Sequence, residues 1–201
     1  MVVIHQKNRY TTNVRGILDL VIPGRTHEHY MGSDPQYNSP TLGQIDEEQL
    51  VQHMRQFVLG NADREYKLIV GSDSLPGNNG HVYLVTAIVL HRVGNGGIYF
   101  WKRILSKKIH TLRDRMYAEA LQSIAMAQQL ERIPELKPLI KEHIEIHVDV
   151  GEVGPTRAMI QELVGMIIAH GYQAKTKPES FAASKVADRH TIPGPKLAFV
   201  T

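Results

Sequence analysis

The chain has 201 residues, of which 42% are hydrophobic, enough for one domain with a buried core. Its 23 lysines and arginines exceed its 20 aspartates and glutamates by only three, so any surface that binds a polyanion must be local. Without cysteine the chain forms no disulfides or thiolate metal sites, and no signal peptide or membrane span is predicted, which favours a soluble cytoplasmic protein.

Residues 1–45 hold many glycines, prolines and asparagines with little periodicity, and are predicted to form an irregular extension. This extension is a candidate for joining a partner chain or for self-association. A helix is predicted from Asp46 to about Leu59, and three strands with short links follow at 66–73, 82–93 and 98–105. Helices are then predicted at 113–133, 155–170 and 178–190, strands at 144–150 and 172–176, and a tail at 196–201.

The predicted order β-β-β-α-β-α-β-α indicates an α/β fold. Three consecutive strands joined by short links favour an antiparallel meander, and the alternating units that follow favour two parallel strands. We therefore expect a mixed five-stranded sheet over residues 46–195, with helices on both faces.

Two acids follow apolar strands. Asp73 ends the predicted strand in the run 69–73 (IVGSD), and Asp149 comes after Ile146 and Val148. The carboxyl end of a strand faces the crevice where α/β sheets bind ligands. Both acids have a second interpretation, because aspartate is also common in turns and loop caps.

Two further acids lie on predicted helices. Glu119 is the only charged side chain between Met116 and Leu130, and it lies in a stripe with apolar spacing. It is either a buried site residue or a rim residue paired with Arg113 or Arg115. Asp188 follows a run of small residues, and Lys185 one turn earlier is its alternative partner.

A mixed sheet with flanking helices brings all four acids towards one crevice. Oxygen ligands of this kind suit Mg²⁺ or Mn²⁺ and not zinc. Two such ions about 4 Å apart stabilise the attacking and leaving oxygens during phosphodiester cleavage.

Four sequence blocks together resemble the YkuK family of ribonuclease H-like proteins. They are 70–74 (VGSDS), 117–119 (YAE) with Ser123, 147–151 (HVDVG), and 177–184 (KPESFAAS) with Ala187 and Asp188. The resemblance implies a ribonuclease H-like fold and a nuclease that uses two Mg²⁺ or Mn²⁺ ions. It implies that Asp73 bridges both ions, that Glu119 and Asp149 hold one, and that Asp188 holds the other. A metal-activated water would be the nucleophile.

A basic stretch leads into the predicted helix that carries Glu119, and it is a candidate surface for RNA or DNA. Its members are Lys102, Arg103, Lys107, Lys108, Arg113 and Arg115. The candidate substrate-binding residues are Ser74, Lys107, Lys108, Arg113, Arg115 and Lys185. Tyr99, Phe100 and Trp101 are candidates for stacking on bases, although strand alternation sends at least one of them into the core. The alternative is an ordinary solvated charged face.

The histidines are weaker candidates for the site than the four acids. The sequence His27-Glu28-His29 lies in the irregular extension, where a loop is favoured over a metal pair. His147 alternates onto the strand face of Asp149, and a hydrogen-bonded sheet histidine is favoured over a role at the site. Three functions remain: a metal-dependent nuclease, a non-catalytic nucleic-acid-binding module on the same fold, and a structural partner protein that uses the extension.

Overall fold

A computed structural model of the chain describes residues 37–76, 81–138, 144–153 and 157–191. Residues 1–36 of the predicted extension and the predicted tail at 196–201 lie outside the described residues. The same holds for the sequence His27-Glu28-His29 and for the side chains of Lys107 and Lys108. No helix in the described part of the chain is both long and apolar enough to cross a membrane.

A mixed sheet forms the centre of the fold, with the strand order β2-β1-β5-β4-β3-β6-β7. Its strands are β1 (Tyr37–Ser39), β2 (Gly43–Ile45), β3 (Tyr66–Pro76), β4 (His81–Arg92), β5 (Gly97–Lys108), β6 (Glu145–His147) and β7 (Gln173–Lys175). The strands β3, β4 and β5 pair antiparallel, and β6 pairs parallel with both β3 and β7. The predicted meander followed by two parallel strands is confirmed.

The first two strands were not predicted. They form a short antiparallel hairpin that joins the sheet where Asn38 pairs with Trp101 of β5. The sheet therefore begins before the predicted domain boundary at residue 46. The hairpin is hard to read from the sequence because its strands are only three residues long and mostly polar.

Three helices cover one face of the sheet: α1 (Glu47–Leu59), α2 (Leu112–Glu131) and α3 (Ile160–Ala169). The helix α1 begins with a capping box between Asp46 and Gln49, and α2 begins after Thr111, whose hydroxyl accepts from the backbone N–H of Asp114. Between these helices and the sheet lies the main core, which includes Leu50, Phe100, Leu130, Ile146 and Leu163.

The C-terminal helix, residues 181–189, lies on the opposite face and contains the π-helical segment Ala182–Ala187. Its small residues allow close packing on the sheet, since Ala182 packs in one cluster with Ile69 and Ala187 packs in another with Val85. Helices on both faces are thus confirmed. Because α2 and the C-terminal helix both contact β3, the site residues of β3 lie between them.

Candidate active site

The sheet register brings Asp73 and Asp149 together. Gly71 of β3 pairs in parallel with His147 of β6, and each aspartate lies two residues beyond this pair. Neighbouring strands are about 4.8 Å apart, so the two residues follow side by side. One detail differs from the sequence prediction. β3 continues to Pro76 by pairing with β4, so Asp73 lies inside the strand and β6 ends beside it.

Glu119 lies on the side of α2 that packs against β3. Its side chain is only 3% exposed, and its Oε1 accepts a hydrogen bond of 2.5 Å from the hydroxyl of Ser74. The guanidinium of Arg115 donates to the same hydroxyl and to the Ser74 carbonyl, at 3.0 and 2.8 Å. Glu119 is therefore a buried residue and not a rim residue, and Arg115 reaches it through Ser74.

The pKa of Glu119 is raised to about 8. Burial is the largest cause, and the negative charges of Asp73 and Asp149 add to it, whereas the hydrogen bond from Ser74 acts in the opposite direction. Burial also raises the pKa of Asp73 to about 6, with added repulsion from Asp188 and Asp149. Each of the four predicted acids thus either raises the pKa of another acid or has its own pKa raised by one. The four acids therefore share one region and repel one another's negative charge.

Asp149 has a cationic neighbour that the sequence analysis missed. The Nζ of Lys177 lies 3.1 Å from its Oδ1, so the two side chains form an ion pair. The same Oδ1 is buried and accepts no aligned hydrogen bond. The negative charge on this oxygen is therefore balanced by the Lys177 ammonium, but the oxygen accepts no well-aligned hydrogen bond.

Asp188 is exposed on the C-terminal helix, and it makes no ion pair with Lys185 or with any other side chain in the described ranges. The predicted alternative, neutralisation by Lys185, is not observed. Lys185 is itself exposed. Its charge is available to an external ligand.

The acids are close to one another but do not converge on a common point. Among the described residues, no three histidine, aspartate or glutamate side chains are arranged so that they could hold a metal ion. Lys177 pairs with Asp149, and the positive charge of Arg115 lowers the pKa values of Asp73 and Glu119.

Sequence comparison identifies the fold family. A profile described as Ribonuclease H-like matches residues 49–192, which contain all four acids. The chain belongs to the ribonuclease H-like family. It is also 30% identical over 159 residues to the uncharacterized protein YkuK of Bacillus subtilis (strain 168), an alignment that covers 74% of this chain and 92% of YkuK. No solved structure gave a significant match.

Family membership indicates a nuclease-type or nucleic-acid-related function for this ribonuclease H-like chain. Proteins with this fold generally use divalent metal ions. The relative YkuK is itself uncharacterized, so the comparison gives a fold and a broad class of function and no specific substrate.

His147 of this ribonuclease H-like chain links the sheet to the C-terminal helix. Its Nδ1 accepts a hydrogen bond of 3.2 Å from the backbone N–H of Ala182, and its Nε2 lies 3.5 Å from Glu145, which also binds Lys67. Burial lowers the pKa of His147, which keeps the imidazole neutral. The prediction of a hydrogen-bonded sheet histidine is confirmed.

Much of the predicted basic surface is engaged in internal contacts. Arg113 pairs with Glu162 of α3, Arg115 binds Ser74, the Lys102 ammonium lies 5.2 Å from the centre of the Tyr37 ring, and Arg103 donates to the carbonyl of His190. Ser74 is buried beneath Glu119. Of the predicted substrate-binding residues, Lys185 is left with an exposed and described side chain that makes no ion pair within the described ranges.

The three aromatic residues of β5 divide between the two faces of the sheet. Phe100 is fully buried in the main core, as strand alternation predicts for at least one of them. Trp101 lies on the other face and stacks on His190, with ring centroids 3.6 Å apart and planes 7° from parallel. Tyr99 lies beside the same pair. These two rings therefore already have partners within the chain.

Lys177 is the contact at the acids that sequence reasoning missed. Arg115 was a predicted candidate partner of Glu119, but it reaches Glu119 through Ser74 and not directly. Lys177 begins one of the four family blocks, which was the only signal available for it. Its pairing with Asp149 depends on two loops meeting at the end of the sheet, so no local spacing could predict it.

Proposed function

We propose that the chain is a metal-dependent phosphodiesterase that cleaves RNA or DNA with Mg²⁺ or Mn²⁺, and that Asp73, Glu119, Asp149 and Asp188 hold the metal. The supporting observation is the group of mutually repelling carboxylates between α2, the C-terminal helix and the ends of β3 and β6. Burial raises the pKa values of Asp73 and Glu119, and the negative charges of the neighbouring acids add to this rise.

The donor chemistry suits a hard divalent ion, because all four side chains offer carboxylate oxygens. In the described residues these oxygens do not yet surround one point, so binding would require the side chains to move together. The buried Oδ1 of Asp149 accepts no aligned hydrogen bond, although the Lys177 ammonium lies 3.1 Å away. When bound, such an ion would offset negative charge on the substrate phosphate and lower the pKa of water, so that hydroxide is available as the nucleophile. The ionised carboxylates would be required for this, so Glu119 would give up the proton that it carries below about pH 8.

The surrounding residues position these acids. Arg115 fixes the Ser74 hydroxyl, and this hydroxyl fixes the Glu119 carboxyl. His147 ties β6 to the helix that carries Asp188. Lys185 and Asp188 are exposed on the same helix, which leaves this side of the cluster open to a phosphate chain.

The direct test is cleavage of short fluorescent single-stranded RNA, single-stranded DNA and RNA–DNA hybrid substrates. We expect cleavage of at least one of them with Mg²⁺ or Mn²⁺, and loss of cleavage when EDTA is added. Purified protein that cleaves none of them with either metal, or that cleaves equally well in EDTA, would contradict the proposal.

A non-catalytic nucleic-acid-binding module is the second candidate, and a specific observation favours it. The ion pair between Lys177 and Asp149, and the link between Arg115 and Glu119, partly neutralise the acids without any metal. This function predicts binding of RNA or DNA that weakens as salt increases and is unaffected by EDTA. Fluorescence anisotropy at 50 and 200 mM salt, with and without EDTA, separates the two candidates.

A further inference from the structure

An apolar row of three side chains lies next to the candidate site, outside the hydrophobic clusters of the described residues. The register places Leu75 of β3, Tyr83 of β4 and Leu105 of β5 directly beside one another across the sheet. Leu105 is 57% exposed, and Leu75 and Tyr83 are partly exposed. Apolar patches that remain exposed on a folded protein are typical of binding surfaces.

The apolar row lies on the same face of the sheet as the C-terminal helix. Ser72 and Ser74 of β3 form hydrogen bonds with side chains of α2. Strand alternation therefore directs Asp73 and Leu75 to the opposite face. Val85, the β4 partner of Asp73, packs in one cluster with the C-terminal helix, as this placement requires. Because Leu75 is two residues beyond Asp73, the row begins about 7 Å along the strand from a residue of the candidate site.

Two cations lie on the exposed side of the C-terminal helix. Lys185 and Arg189 are four residues apart and exposed, and neither forms an ion pair within the described ranges. Like charges at this spacing on a helix repel each other, so the pair favours binding of an anion. This face of the protein thus combines cations for phosphates with an aromatic and apolar surface for bases, the two properties that proteins use to bind a single nucleic-acid strand.

We propose that the apolar row binds an unpaired base of a nucleic-acid strand, which stacks on the Tyr83 ring, and that Lys185 and Arg189 contact phosphates of the same strand. This inference rests on the proposed function, and it narrows the substrate to single-stranded nucleic acid. A base within a duplex is already paired and stacked, so it reaches the row only after unpairing, which costs free energy. Stacking accepts every base, so we expect little preference for sequence.

Fluorescence anisotropy with EDTA present tests the inference by binding alone. The full chain is expected to bind a labelled 12-nucleotide single strand, of RNA or of DNA, at least tenfold more tightly than the blunt duplex of the same sequence. Tyr83→Ala is expected to weaken binding of the single strand by roughly tenfold, because the stacking surface is lost. Tyr83→Phe keeps the ring and is expected to bind like the wild type. Leu105→Ser, which makes the row polar, is expected to weaken binding as well.

Leu59→Ser is the matched control for Leu105→Ser. Leu59 is 72% exposed at the end of α1, on the other face of the sheet, and its replacement is expected to leave binding unchanged. Equal affinity for single strand and duplex would overturn the inference. Wild-type affinity in both Tyr83→Ala and Leu105→Ser would also overturn it, and would leave the row to a second copy of the chain or to residues 1–36.

The cleavage test separates this inference from the nuclease proposal. Cleavage that depends on Mg²⁺ or Mn²⁺, combined with wild-type binding by Tyr83→Ala, would overturn the inference and leave the nuclease proposal standing. Absence of cleavage, combined with a preference for single strands that Tyr83→Ala loses, would contradict the nuclease proposal alone and support the binding site on a non-catalytic module.

Discussion

Replacing Asp73 with asparagine is expected to reduce metal-dependent cleavage by on the order of a thousandfold, the usual scale for removing one electrostatic group from the reacting centre. Asp73 is coupled electrostatically to all three other acids, since Asp188 and Asp149 raise its pKa and its own charge raises the pKa of Glu119. Asparagine keeps the shape of the side chain and removes the charge that would bind the metal. The measurement is kcat/KM on the best substrate at saturating Mn²⁺.

The control for this variant is Asp63→Asn, which changes charge equally on a residue whose side chain is 80% exposed in the loop after α1. It should cleave like the wild type. Urea unfolding should show Asp73→Asn to be at least as stable as the wild type near pH 7, because a partly buried and repelled charge has been removed. Cleavage by Asp73→Asn within fivefold of the wild type would argue against the nuclease proposal.

Glu119→Gln is expected to stabilise the metal-free protein at alkaline pH while abolishing cleavage. An acid whose folded-state pKa is raised destabilises the fold once the pH exceeds its unfolded-state pKa. For Glu119 the loss of stability therefore begins near its ordinary value of 4.5 and is complete above about pH 8. The shift corresponds to about 5 kcal/mol, which the neutral amide would recover while still accepting the Ser74 hydrogen bond.

The measurement is the free energy of unfolding in urea at pH 5, 7 and 8.5 with EDTA present. The variant should match the wild type at pH 5 and exceed its stability increasingly towards pH 8.5. Glu48→Gln, which alters an exposed acid in the first turn of α1, should keep the pH dependence of the wild type. If Glu119→Gln has the same free energy of unfolding as the wild type at all three pH values, ionisation of the buried Glu119 does not cause the loss of stability.

Two features made parts of the site predictable. Asp73 and Asp149 each follow an apolar run long enough to be a central strand, and parallel pairing then places them next to each other. Glu119 is a lone charge in an apolar helical stripe, which made it a candidate for burial, and the structure decided between burial and the rim. Both arguments use only the periodicity of strands and helices, which local sequence carries.

The partners of these acids could not be predicted in the same way. Spacing within the helix suggested Lys185 as the partner of Asp188, yet the observed ion pair joins Lys177 to Asp149. Likewise, Arg115 acts on Glu119 only through a serine of another element. Such contacts depend on distances through space that sequence separation does not encode.

The sequence alone determined the meander, the two parallel strands and the helices on both faces, because each follows from a repeating apolar pattern along a continuous segment. Only the tertiary structure decided where the positive charges lie. The register of β3 with β6 and the meeting of the loops at Val150 and Lys177 set which cation reaches which carboxylate. An ion pair is fixed by packing between segments distant in the chain, and no local pattern specifies that packing.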